Sequence, residues 1–231
     1  MTDIFHEIEE DLRRERMRKL WDRFGSYLIA LALLVVAGTA GWSGWKYWRE
    51  QQAFKASAAF EAASELAAAG KYQDAEAAFQ ALAKDGPAGY AALAAFRSAA
   101  VAAQVDKAKG VAAFDALAAD AALPAALREV ARVRAGLMLV DAGTLEEVRQ
   151  RVGALAAGTG PMRNSARETL ALAELKAGNA AAANKLATEI TEDAEATGGE
   201  RSRAELIRRL TAAAVPPPAA PAAPAASPAT Q

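Results

Sequence analysis

The chain has 231 residues, with 27 basic against 28 acidic side chains and no cysteine. These figures exclude a disulfide scaffold, a thiolate metal site and the excess positive charge with which a nucleic-acid binder neutralises phosphates. Its apolar fraction of 53% rests on small side chains, since 65 residues are alanine and only 6% are aromatic, and alanine favours helix while burying little area.

Residues 1–23 carry thirteen charges, acids early and bases late, the polarity that suits a helix dipole. Ile4, Phe5, Ile8 and Leu12 recur at spacings of one, three or four, and Glu9 with Arg13, Glu10 with Arg14 and Glu15 with Lys19 form pairs four apart that support a helix. The segment reads as a charged amphipathic helix on the cytoplasmic side, either a solvated stalk or a docking helix.

Residues 24–45 read as a transmembrane helix. From Gly25 to Trp45 the chain runs 21 residues without a charge, about 31 Å of helix, the thickness of a bilayer core. Trp21 stands at one end and Trp42, Trp45 and Trp48 at the other, as interface anchors in two aromatic belts. A cleaved signal peptide, with Gly38 and Ala40 as small residues for processing, is opposed by the acid-rich 23 residues before the span, unlike a short basic n-region. Ala37, Gly38, Ala40, Gly41 and Gly44, at steps of three and four, are candidates for close packing against another membrane helix. Six lysines and arginines precede the span, and Lys46, Arg49 and Lys55 follow it within twenty residues. This bias places the N-terminus in the cytoplasm and the remainder outside it, where a cysteine-free domain escapes oxidation.

Residues 46–214 read as one helical domain, with no alternating strand pattern and with glycine and proline only at intervals. AAFQALAKD at Ala77–Asp85 returns as AAFDALAAD at Ala112–Asp120, 35 residues on, and Pro87, Pro124 and Pro161 recur at steps of 37. Gly70, Tyr72, Ala75, Phe79 and Pro87 in the first copy fall at the glycine, aromatic, small, aromatic and proline positions of the tetratricopeptide repeat, which the region resembles. The second copy keeps Ala113, Phe114 and Leu117 without a turn glycine. Gly143, Leu145, Val148, Val152 and Leu155 stand for the third copy, and Gly178, Ala180, Ala183, Ala187 and Ile190 for the fourth.

The expected fold is therefore all-α, an N-terminal transmembrane helix followed by a degenerate tetratricopeptide-like solenoid. Ala75 and Ala183 are expected where paired helices cross closely, with Phe79 and Leu82 filling the layer between pairs. Glu200–Ala214, with Leu206, Ile207 and Leu210 on one face, reads as the closing element. In this register the first helices turn Phe60, Glu61, Phe96, Val133, Arg134, Leu137, Glu168 and Leu172 toward a concave groove, although residues at such positions are more often core than contact. Residues 215–231, rich in proline and alanine, are expected to be a disordered, partly polyproline II tail.

No catalytic, metal or cofactor site is expected. The one histidine, His6, lies before the span, and after it Ser57, Ser64, Ser98, Ser165 and Ser202 stand in no G-x-S-x-G or S-x-x-K setting. An array of helical repeats instead offers a surface to another protein, with neither nucleic acid nor a small-molecule substrate implied.

GWKYWREQQ at Gly44–Gln52, AAFEAA at Ala58–Ala63 and GYAALAAFRSAA at Gly89–Ala100 resemble the single-span bacterial inner-membrane family of ancillary SecYEG translocon subunits, the YfgM-type tetratricopeptide-like proteins. The likeness extends from about Phe24 to Ile190. It implies a membrane-anchored periplasmic adaptor whose partners are the translocon, periplasmic folding factors and exported polypeptide. The alternative is a structural envelope tether or assembly scaffold without client binding.

Overall fold

The computed structural model describes residues 3–214. The Pro/Ala tail, 215–231, and the side chains of Ile4, Phe5, Ile8 and Leu12 lie outside the described residues. Among those described, every regular element is helical: α1 (Asp3–Ala68), α2 (Tyr72–Asp85), α3 (Ala88–Val105), α4 (Lys107–Ala119), α5 (Ala125–Ala142), α6 (Leu145–Ala157), α7 (Arg163–Lys176), α8 (Ala180–Glu192), α9 (Gly198–Thr211) and a closing 3₁₀ turn, Ala212–Ala214. The chain divides into two compact units, Met1–Ser57 and Ala58–Gln231.

The first unit is α1 up to Ser57. It carries a stretch long and apolar enough to cross a membrane, almost none of it buried. Trp21 and Trp48 are both exposed and stand about 40 Å apart along a helix rising 1.5 Å per residue, the thickness of a bilayer with its interfacial layers. Inside the stretch the Thr39 hydroxyl donates to the carbonyls of Val35 and Val36 at 2.9 and 3.0 Å, so this polar group is satisfied within the helix itself. At the C-terminal end Trp42 and Trp45 lie 5.6 Å apart and Arg49 sits 5.2 Å over the Trp45 ring. This cluster is cationic and aromatic at once, as membrane interfaces favour.

The second unit begins with the last residues of α1 and continues as antiparallel helices, each packed on the next from α2 to α9. In addition α5 packs on α7 and α7 on α9, the first helix of one pair on the first helix of the next, which makes the array a solenoid.

Each turn has its own stop signal. Gly70 and Gly178 have φ of +75° and +84°, the left-handed region that only glycine enters without cost. In both, the following amide bonds back around the helix end, Lys71 N–H to Leu66 O at 2.9 Å and Asn179 N–H to Glu174 O at 2.8 Å, a Schellman closure. Between α3 and α4, where no glycine stands, the Asp106 carboxylate accepts from the Ala108 and Lys109 amides at 2.8 and 3.3 Å. Thr144 with Glu147 and Thr197 with Glu200 form capping boxes that start α6 and α9. Pro87 and Pro124 are the N-cap residues of α3 and α5, and Pro161 precedes α7; proline fixes φ and leaves no N–H unpaired at such a boundary.

Small residues set the helix crossings. Ala75 and Ala183 are fully buried, and the equivalent position in the second pair is Gly110. A Cβ built there would lie 2.4 Å from Ala103 Cβ and 2.8 Å from its Cα. Because the obstructing atoms are the Cβ, Cα and N of Ala103, whose positions the α3 backbone fixes, they cannot yield locally. Gly110→Ala is expected to destabilise the domain by about 1–3 kcal/mol through overpacking, read as a lowered urea midpoint. An unchanged midpoint would contradict the close α3–α4 approach.

Ion pairs join each helix pair to the next. The Glu76 carboxylate, nearly buried, meets Lys109 at 2.7 Å and accepts from Gln80 at 2.9 Å. Asp115 meets Arg151 at 2.7 Å, and Glu174 meets Arg149 at 2.7 Å. At the far end Arg163 grips both oxygens of Asp193 at 2.6 Å each, and the Glu195 amide donates to the same carboxylate at 2.9 Å. These bonds hold the Asp193 carboxyl well below the usual carboxylate range.

A carboxyl whose folded value is depressed stabilises the fold above its unfolded value, ordinarily 3.8, and that contribution is lost as the pH falls toward the folded value. The urea midpoint of the wild type is therefore expected to exceed that of Asp193→Asn by a constant margin between about pH 7 and 5, narrowing in stronger acid. A margin that widens in acid would contradict the pairing.

The closing helix differs from expectation in its orientation. Its buried line is Ala204, Ile207 and Thr211, while Leu206 and Leu210 are 58% and 66% exposed. The spacing of three and four selects Ala204, whose small side chain lets α9 approach α8. Asn184 Nδ2 then donates to Thr211 Oγ1 at 2.8 Å, fixing the rotation that turns both leucines outward.

Candidate protein-binding site

Three first helices, α5, α7 and α9, enclose a recess of about 470 Å³, a volume within the range of ligand sites in proteins. Val130, Val133 and Leu137 of α5 and Met162 of the α6–α7 turn supply its apolar surface; Arg134, Ser165, Glu168, Thr169 and Arg203 supply the polar groups. The helical spacing explains the α5 set, since positions 130, 133, 134 and 137 recur at three and four on one face. On the opposite face, Ala131, Ala135 and Leu139 are buried in the core.

Glu168 and Arg203 join α7 to α9 across the recess. Arg203 Nη2 donates to Glu168 Oε2 at 2.7 Å, and its Nε donates to the other oxygen. This bidentate bond raises the arginine pKa further above its already high ordinary value, so the guanidinium stays charged. Arg203 was not among the groove positions named from the sequence, because α9 reads there only as a closing helix. Met162 lies in a turn, outside any helical register.

The groove positions named from the sequence divide into groups. Val133, Arg134, Leu137 and Glu168 come together in the recess. Phe60 lies edge-on to Phe79 at 5.2 Å and to Tyr90 at 6.3 Å, and Phe96 lies edge-on to Phe114 at 6.0 Å, so both rings are engaged by aromatic neighbours. Leu172 packs against the cluster of Ala183, Ala187 and Ile190, and Glu61 is exposed on α1. In the first unit Ala37, Gly38, Ala40, Gly41 and Gly44 are all exposed, and Cβ atoms built on the three glycines meet nothing within 4 Å.

Two smaller recesses offer less. One, of about 120 Å³, is bordered by Lys176, whose ammonium donates to the carbonyls of Val140 and Asp141 at 2.8 and 2.7 Å; it caps the end of α5. The other, of about 330 Å³, lies at the Gly70 turn beside Val105. Among the described residues no group of three or more histidine, cysteine, aspartate or glutamate side chains is arranged to hold a metal ion.

The model of the tetratricopeptide repeat-like domain matches residues 18–157, more than half of the chain. The chain belongs to this family. Tetratricopeptide repeat-like domains are generally non-enzymatic scaffolds that bind other proteins, which gives the domain its coarse role. The match runs from before the apolar stretch of α1 to the end of α6; α7, α8 and α9 continue the pairing beyond it. No curated protein and no solved structure gave a match.

Proposed function

We propose that this tetratricopeptide repeat-like chain is a single-span adaptor of the bacterial inner membrane. Its N-terminus is cytoplasmic, and its helical domain is periplasmic and receives segments of exported polypeptide near the Sec translocon, together with periplasmic folding factors. The observation that carries this reading is the recess between α5, α7 and α9, which combines an open apolar surface with charged groups at its edge. Such a surface takes the nonpolar side chains of a partly unfolded chain. The lysine and arginine bias around the span supports the orientation, and the likeness of Gly44–Gln52 to the YfgM-type proteins supports the translocon as neighbour. In this reading Ala37, Gly38, Ala40, Gly41 and Gly44 form the face that meets a membrane partner.

Purification of the full chain from mild detergent tests the assignment. Recovery of translocon subunits and periplasmic chaperones is the expected result, and their absence under conditions that keep the translocon intact contradicts it. A reporter fused after Gln231 is expected to be active only outside the cytoplasm; activity inside would overturn the orientation.

A further inference from the structure

Three charged side chains border the recess, and two of them neutralise each other. Glu168 accepts both hydrogen bonds from Arg203, which leaves Arg134 as the remaining charge on the lining. Among the described residues Arg134 makes no side-chain ion pair or hydrogen bond, and it stands exposed on α5 beside Val133 and Leu137. The lining therefore has a net charge of +1 (Arg134 and Arg203 against Glu168). A guanidinium beside an apolar surface offers a planar donor fork that fits a carboxylate, whereas a lysine or arginine arriving at the same place meets a like charge.

We propose that the recess selects polypeptide segments in which an apolar anchor is followed closely by an aspartate or glutamate, and that Arg134 reads this carboxylate. The inference rests on the recess being a polypeptide site and adds the chemistry of the preferred segment. The apolar side chain fills the space between Val130, Leu137 and Met162, and the carboxylate lies over Arg134. The Glu168–Arg203 pair takes no part in charge selection because its groups are already satisfied, and it keeps α9 closed on α7.

The test uses the full chain in lipid nanodiscs and three labelled synthetic peptides. Each is nine residues long with the same leucine and phenylalanine anchors, and they differ only in carrying aspartate, asparagine or lysine beside the anchors. Fluorescence anisotropy is expected to show the aspartate peptide binding about fivefold more tightly than the asparagine peptide, the size of one exposed ion pair, with the lysine peptide weakest. The preference is expected to shrink as salt is raised.

In Arg134→Gln the aspartate and asparagine peptides become equal while anchor binding remains; in Arg134→Glu the order reverses. Lys185→Glu, the same change of charge on α8, which does not line the recess, keeps the wild-type order. An unchanged helical circular dichroism signal shows that each variant is folded. Equal affinity for all three peptides, or a preference that survives in Arg134→Glu, overturns the inference alone. If none of the peptides binds, the reading of the recess as a polypeptide site falls with it.

Discussion

Replacing Phe79 by alanine is expected to lower the stability of the helical domain by about 3–5 kcal/mol, the usual cost of removing a buried phenylalanine. The ring is only 1% exposed and lies edge-on to Phe60 at 5.2 Å. It ties α2 to the end of α1, within the unit that starts at Ala58. Such a loss is a large share of the roughly 5–15 kcal/mol that holds a domain folded. Urea denaturation of the full chain in detergent, followed by circular dichroism, is expected to show a midpoint shift larger than that of Gly110→Ala. A shift as small as that of an exposed alanine substitution would mean that Phe60 and Phe79 are not packed as described.

Two aspartates in the apolar stretch, Leu31→Asp with Leu34→Asp, are expected to abolish stable membrane insertion. Each charge at the middle of a spanning helix costs about 3 kcal/mol, so together they change the insertion equilibrium by more than about a thousandfold. Both leucines are exposed, at 58% and 70%, so no protein contact among the described residues offsets the cost. Extraction of membranes at alkaline pH is expected to release the double variant and to leave the wild type behind. Release of both would contradict a spanning helix, and retention of both would mean that another part of the chain holds it to the membrane.

Much of the solenoid was legible because its pattern is local. The prolines at 87, 124 and 161 mark the starts of α3, α5 and α7, and Gly70 and Gly178 are read as turns because only glycine enters the left-handed region cheaply. The turn at Asp106 was less legible. There a carboxylate caps the next helix, and the glycine of that copy appears four residues later, at the close crossing of Gly110 with Ala103. The capping boxes at Thr144 and Thr197 carry a T-x-x-E signature that a search for caps finds directly.

Side chains that act across long separations were not legible. Arg163 and Asp193 lie 30 residues apart, and no spacing rule predicts their meeting. The recess shows the same division. Val133, Arg134, Leu137 and Glu168 follow from helical register, whereas Met162 comes from a turn and Arg203 from the rotation of α9. That rotation was set by Ala204 and Thr211 rather than by the larger Leu206 and Leu210, because close approach of two helices favours the small side chain.

We propose that the recess between α5, α7 and α9 is where this tetratricopeptide repeat-like domain meets other polypeptides. Photocrosslinking in intact cells tests it most directly, with the reactive residue placed at Leu137 inside the recess and, as control, at Lys185 on α8. Adducts with newly exported chains that form from Leu137, weaken when Val133 is changed to glutamate, and are absent from Lys185 are the predicted result. Equal adducts from both positions, or none from Leu137 in cells that are actively exporting protein, would contradict it.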